Sequence, residues 1–326
     1  MRGLVTACVA ACVLAPWSQT VAAETDDAMQ WLSRIVAAAQ SLDYSGTFIY
    51  QSGRNIETSR ITHVVDAEGE HERLEVLDGS PREVIRRNDA VWCVFPDQKM
   101  VITDRSETQQ RSFPARLPDS YASLSQYYRV AKGGPARVAG LDTHLIVLEP
   151  RDDLRYAHML WAESESGLLL KARTVDEDGE IVEQFAFSDI SIGGDIDRSA
   201  LEPRYRKDDS WRVVAAHGQA LDTTEAGWRL SEPLPGFELK SVMRRPLGRD
   251  QRDVVQLVYG DGLASISVFI EPLAIDAEAQ GGLGPLASGS INIYRRSVAG
   301  HLLTALGEVP LSALQRIGEA MEPVTQ

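Results

Sequence analysis

Gly46-Thr47-Phe48-Ile49-Tyr50-Gln51-Ser52 opens the stretch that decides the fold, Tyr44 to Thr103. β-Branched and aromatic residues dominate it. Side chains alternate along a strand, so Phe48 and Tyr50 share one face while Thr47 and Ile49 share the other. Further runs of the same kind follow at Ile56–Asp66, Glu72–Asp78, Arg82–Arg87, Val91–Phe95 and Met100–Thr103. Asp78-Gly79 separates two of them, and an Asp-Gly pair readily takes the positive φ that hairpin turns need. No part of the stretch has the i, i+3, i+4 apolar spacing of a long helix. It predicts a run of antiparallel strands forming much of one sheet.

Upstream, Leu32, Ile35, Val36 and Ala39 recur at helical spacing and predict a helix through Ser41. Thr25 or Asp26 is placed to cap it, and Asp26-Asp27 suit the positive end of the helix dipole. Before it, Met1-Arg2, the apolar run Gly3 to Val13 and the small residues Val21-Ala22-Ala23 read as a signal peptide, 1–23, cleaved before Glu24. The run is too short to span a bilayer. Export to a bacterial periplasm is the expectation. A competing reading takes Val9-Ala10-Ala11-Cys12 as a lipobox that would leave a lipid-anchored Cys12. After cleavage only Cys93 remains, in the apolar run Val91-Trp92-Cys93-Val94-Phe95, so no internal disulfide is expected.

Downstream, Asp104 to Pro118 is polar, with Pro114 and Pro118 as punctuation, and reads as a loop. Ser120 to Tyr128 reads as a short helix ended by Gly133-Gly134-Pro135. Strands are expected again at Ala136–Ala139, His144–Glu149, Arg155–Ala162, Leu168–Val175 and Ile181–Ile190. A sheet with one apolar face needs a cover, and the first helix and the tyrosine-bearing loop are the available ones. If they leave space, an apolar cavity would suit a lipid chain.

The processed chain, roughly 300 residues, exceeds the usual single-core size, so more than one domain is expected. A first domain over 24–202, a charged linker over 203–222 and a second domain over 223–326 are the predicted divisions. In the second part Trp211–Ala215 and Phe237–Met243 read as strands. Val254–Tyr259 and Leu263–Ile270 read as a hairpin around Gly260-Asp261-Gly262, and Ala277 to Gly289 as a loop. Ser290–Arg296 and His301–Leu306 read as strands, and Pro310 opens a helix through Met321.

The 326-residue chain has a formal charge of −14. That argues against nucleic-acid partners, which need a basic footprint. No two of the six histidines sit at i, i+4 on a predicted helix, and no nucleophile elbow, Walker loop or dinucleotide loop is present. No metal, cofactor or enzymatic activity is expected. One stretch stands against the acidic background: Lys240 to Arg252 carries Arg244, Arg245, Arg249 and Arg252 with Asp250 as its only acid. It reads either as a solvated basic loop or as a docking site for an acidic or phosphate-bearing partner.

Glu70-His71-Glu72-Arg73-Leu74, followed by Leu77-Asp78-Gly79-Ser80-Pro81-Arg82-Glu83-Val84-Ile85-Arg86-Arg87, resembles the MucB/RseB family of periplasmic sigma-E regulators. Tyr44-Ser45-Gly46-Thr47-Phe48 and Tyr259-Gly260-Asp261-Gly262-Leu263 extend the resemblance along the chain. It implies an α+β fold. The N-terminal domain would be a half-open antiparallel β-barrel with covering helices, like the lipoprotein carriers and LppX, and the C-terminal α+β domain would be smaller. It also implies a negative regulator that binds the periplasmic part of a single-pass anti-sigma factor, shields it from site-1 proteolysis and is released by lipid or lipopolysaccharide fragments. A carrier of lipid or lipoprotein without a signalling partner is the alternative, and a homo-oligomer is left open. Composition, not a family motif, selects the site residues: Arg244, Arg245, Arg249 and Arg252 to meet the partner, and Phe48, Tyr50, Trp92 and Phe95 to meet the lipid.

Overall fold

The structure is a computed structural model that describes residues 18–105, 124–205, 208–216, 218–247, 252–273 and 283–324. Most of the leader read over 1–23, with Cys8 and Cys12, lies outside the described residues. Helix α1 spans Ser18–Ser41, so its backbone starts ahead of the expected cap at Thr25 or Asp26. The alanines and polar residues preceding that point favour helix well enough to extend it.

The stretch from Tyr44 folds as β1 (Tyr44–Ser52), β2 (Asn55–Asp66), β3 (Gly69–Val76), β4 (Glu83–Arg87), β5 (Ala90–Phe95) and β6 (Met100–Arg105). Each strand pairs antiparallel with the next. Asp78-Gly79 lies between β3 and β4, with Gly79 at φ +70°. The Asp78 carboxylate accepts the Thr58 N–H at 2.9 Å, which ties the turn to β2.

After the short helix α2 (Leu124–Tyr127) come β7 (Tyr128–Val138), β8 (Leu141–Pro150), β9 (Ala157–Glu163), β10 (Leu169–Val175) and β11 (Ile181–Ile192). β11 pairs with β1, which joins both halves into one sheet. Two expectations are corrected here. Gly133-Gly134-Pro135 does not end a helix: it is a register shift within β7. β7 is an edge strand, where a proline without an N–H and a glycine bulge are tolerated. The run at 212–215, read as opening the second domain, is β12 (Arg212–Ala215), which pairs in parallel with β6. The result is an open twelve-stranded sheet, antiparallel except at that edge, in the order β12-β6-β5-β4-β3-β2-β1-β11-β10-β9-β8-β7. It is a half-open barrel with free edges at β12 and β7.

Helix α1 packs against β7, β8 and β10. Leu32 and Ile35 are fully buried against Ile146, Leu148 and Leu170. Arg34 lies 4.0 Å over the Trp31 ring and donates to the Glu165 carbonyl at 2.8 Å, pinning the helix to the β9–β10 turn.

The second sheet comprises β13 (Gln219–Ala220), β15 (Glu238–Leu247), β16 (Arg252–Gly260), β17 (Ser265–Pro272), β18 (Gly284–Ser288), β19 (Ile291–Val298) and β20 (His301–Gly307). Its order is β13-β15-β16-β17-β20-β19-β18. A small pair, β14 (Trp228–Leu230) and β21 (Met321–Pro323), flanks it. Helix α3 (Thr223–Ala226) starts from a capping box built by Asp222 and Glu225. Helix α4 (Leu311–Ala320) follows Pro310 as expected and buries Leu314 and Ile317 over the sheet. The expected loop at 277–289 is in part strand, because 284–288 pair with β19. The stretch read as a linker, 203–222, carries one strand of each sheet and so is stitched to both domains. Among the described residues, no helix is long and apolar enough to cross a membrane.

Candidate functional site

Register fixes which side chains share the inner face of the large sheet. Phe48 stands opposite Ser59, Ser59 opposite Val76, and Phe48 opposite Phe187 on the other side. The same face continues through Leu74, Val84, Cys93 and Ile102. On β1–β2 and β7–β11 this face is closed by α1 and its own aromatics. Phe48 is 3% exposed, with Phe185 and Phe187 edge-on at 6.3 and 5.7 Å. On β4–β6 it is not closed to the same degree: Val84, Val91, Cys93, Phe95 and Ile102 are only half-buried. These residues form a half-buried, half-open apolar floor on β4–β6.

The four residues expected to meet lipid therefore divide. Phe95 belongs to the half-open floor. Phe48 is core. Tyr50 lies on the inner face, but its hydroxyl donates to Glu183 at 3.0 Å. Burial, with the Glu183 charge, pushes its pKa well up. Trp92 is on the opposite face, paired with Ile85 and Thr103. Alternation along β5 places Val91, Cys93 and Phe95 inward and Trp92 and Val94 outward.

That outer face has its own cover. The chain over Asp197–Tyr205 and Trp211 lie on it, and Tyr205 and Trp211 pack with Trp92, Ile85, Val94 and Val101. Beneath it Arg73 donates from Nε to the fully buried Glu83 at 3.0 Å and from Nη1 to the Ala200 carbonyl at 3.1 Å. The backbone N–H of Arg204 also reaches Glu83, at 3.2 Å, while its side chain pairs with Glu75.

Deeper on the inner face lies a polar group. His63 is fully buried, stacked on Tyr44 at 4.8 Å between ring centroids. Its Nδ1 is 2.9 Å from the Leu42 carbonyl and its Nε2 3.2 Å from Glu70. Burial alone would lower the His63 pKa, but the Glu70 hydrogen bond, the Leu42 carbonyl and the Glu72 and Glu70 charges raise it above 6.5. A raised histidine contributes stability that is fully present below its unfolded pKa and is lost as pH rises through the folded one. We expect the stability deficit of a His63→Gln variant, read from urea midpoints, to be larger at about pH 5.5 than at about pH 8.5. A deficit that grows toward pH 8.5 would contradict the assignment.

The basic strand also divides. Arg244 and Arg245 are neighbours on β15, so they point to opposite faces. Arg244 is exposed. Arg245 is committed internally, donating to Gln256 at 3.1 Å and to the Ala216 carbonyl at 2.6 Å. Arg249 lies outside the described residues, as does the side chain of Arg252, whose backbone opens β16 opposite Leu247.

One constellation was missed in the sequence. Arg155, 3% exposed, sits between the two domains. Its Nε donates to Asp261 at 2.8 Å, Nη1 to Asp152 at 2.6 Å and Nη2 to the Pro235 carbonyl at 2.7 Å. The guanidinium lies 4.5 Å over both the Tyr127 and Phe237 rings. Tyr128 donates to the same Asp261 oxygen at 3.0 Å, and the other oxygen accepts the N–H groups of Leu263 and Ala264. The Gly-Asp-Gly turn was visible in the sequence as a turn. Its aspartate gave no sign of a distant partner.

Residues 27–205 match the family model of the MucB/RseB N-terminal domain, and residues 222–322 match that of the MucB/RseB C-terminal domain. The sigma factor AlgU regulatory protein MucB of Pseudomonas aeruginosa is 33% identical over 307 residues, 93% of each chain. The sigma-E factor regulatory protein RseB of Escherichia coli K12 is 27% identical over 290 residues, 88% of each chain. A crystal structure of MucB in complex with MucA(peri) superposes with a TM-score of 0.70 at 28% identity, covering 92% of this chain and all of that one. Two matched domains in this order, spanning nearly the whole described chain, show that the protein belongs to the MucB/RseB family of sigma-factor regulatory proteins.

Proposed function

We propose that this protein is a periplasmic negative regulator of an envelope-stress sigma factor. It binds the periplasmic part of a single-pass anti-sigma factor and shields that segment from site-1 proteolysis, and lipid or lipopolysaccharide fragments release it. The observation that carries the reading is the full-length likeness to MucB, a relative solved with MucA(peri). The half-buried floor of Val84, Val91, Cys93, Phe95 and Ile102 supports an acyl chain as the releasing ligand. Exposed Arg244 offers a planar fork of donors to an acidic segment.

Binding of the two ligands is then reciprocal: lipid weakens the anti-sigma segment by the same factor that the segment weakens lipid. The test is calorimetric titration of the protein with the periplasmic segment of the same organism's anti-sigma factor, with and without saturating lipopolysaccharide. We expect binding that lipopolysaccharide weakens. Equal affinity under both conditions would sink the coupling, and no binding at all would favour a lipid carrier.

A further inference from the structure

The C-terminal domain is attached to both sides of the open sheet. On one side β12 extends the β6 edge, and after only 216–218 the chain enters β13 on β15. Arg245 ties this junction by its 2.6 Å bond to the Ala216 carbonyl. On the other side Tyr127, Tyr128 and the β8–β9 turn with Arg155 grip Asp261, Pro235 and Phe237. Leu154 of that turn is buried in the core of the second domain, not the first. β15 runs between the two attachments. Its Glu238 end stands opposite Gly260, next to Asp261, and its Arg245 end holds Ala216. Those seven steps span about 23 Å at strand rise.

We propose that the C-terminal domain is a crossbar over the open half-barrel, and that the Arg155–Asp261–Tyr128 contact is its release point. An open sheet changes shape by moving its free edges relative to one another. With one attachment covalent and backbone-paired, only the other can part as the edges move. The release contact centres on one carboxylate, one guanidinium and one phenol, with Leu154 seated in the second core beside it, Ser312 donating to the Asp153 carbonyl at 2.6 Å and Asn292 donating to the Tyr156 hydroxyl at 2.9 Å. Gly236, at φ +75°, is held so close that a Cβ there would come within 2.2 Å of Arg155 Nη2 and 2.7 Å of Tyr127. The domain contact at Ser52 and Ser290 consists of hydroxyl and backbone bonds of 3.0 Å, weaker than the buried ion pair. Arg155, Asp261 and Tyr128 are thus positioning residues for the domain arrangement. That a lipid drives the edges apart rests on the proposed function, whereas the crossbar itself does not.

The test is electron-paramagnetic distance measurement on the full chain with its native cysteines replaced by serine. One spin-label pair joins Asp142, at the β7–β8 turn, to Glu319 on α4. The other joins Asp97, beside β6, to Glu319. All three sites are exposed. Tyr128→Phe removes one hydrogen bond from the release point and Gly236→Ala forces it apart sterically; circular dichroism selects the variants that keep the fold. We expect the Asp142–Glu319 distribution to broaden and lengthen in both variants while the Asp97–Glu319 distribution holds. Unchanged distances in both variants, or equal shifts in both pairs, would overturn the crossbar. Lipopolysaccharide added to the unsubstituted release point should reproduce the first shift. If the variants shift and lipopolysaccharide does not, the crossbar stands and the lipid reading falls.

Discussion

Arg155→Ala will lower the stability of the folded protein by about 3–5 kcal/mol, the cost typical of removing one partner from a buried ion pair. The Asp261 side chain is fully buried, and Arg155 is its cationic partner at 2.8 Å. Without the guanidinium, the carboxylate keeps only the Tyr128 hydroxyl and two turn N–H groups, far from solvent. The Pro235 carbonyl loses a donor as well. The stacking of Arg155 between Tyr127 and Phe237 is lost with it, which adds to the effect. Because the contact joins two cores, calorimetry should also show the single transition separating into two. Asp261→Asn in the Arg155→Ala background should recover part of the loss, since the orphaned charge is then gone. A loss below about 1 kcal/mol would mean that the junction is solvated and that Arg155 behaves as a surface residue.

Phe48→Ala will destabilise by about 3–5 kcal/mol, in the range for emptying a buried aromatic site. Phe48 fills the space between Phe185 and Phe187 on the closed half of the inner face. Phe95→Ala, half-buried on β5, should cost about 1 kcal/mol in stability. Acyl-chain binding should rank Phe95 above Phe48 among variants that remain folded. Removing a ring from the half-open floor is expected to weaken such a ligand by about tenfold. Chemical denaturation gives the first comparison and displacement of a fluorescent fatty acid the second. If Phe48→Ala is nearly neutral in stability but abolishes lipid binding, the closed half of the barrel is the lipid site and the open floor is not.

The strands of the first domain were legible because alternation, β-branched residues and Asp78-Gly79 agree at every level, from residue to turn. The assembly of those strands into an open sheet with a smaller second domain came from the family resemblance, since strand order is not written in any local pattern. β12 was misassigned for a physical reason: Arg-Val-Val-Ala is four residues long, follows a charged stretch and pairs in parallel with a strand far back in the chain. Nothing local distinguishes that from the start of a new domain. Gly133-Gly134-Pro135 was read as a stop because glycine and proline usually are one, yet on an edge strand the same residues make a bulge. Trp92 was grouped with Phe95 by composition, although three residues apart on one strand means opposite faces. The Arg155–Asp261 pair was invisible because its members are 106 positions apart. Such pairs are made by tertiary structure alone.

The proposed function is to guard an anti-sigma factor and yield to lipid. Its most direct test mixes the protein with the periplasmic segment of the same organism's anti-sigma factor, adds the site-1 protease, and follows cleavage over time with and without lipopolysaccharide. We expect cleavage to be slowed by the protein and restored by lipopolysaccharide. Cleavage at the same rate whether or not the protein is present, in a mixture where lipopolysaccharide is still bound, would contradict it.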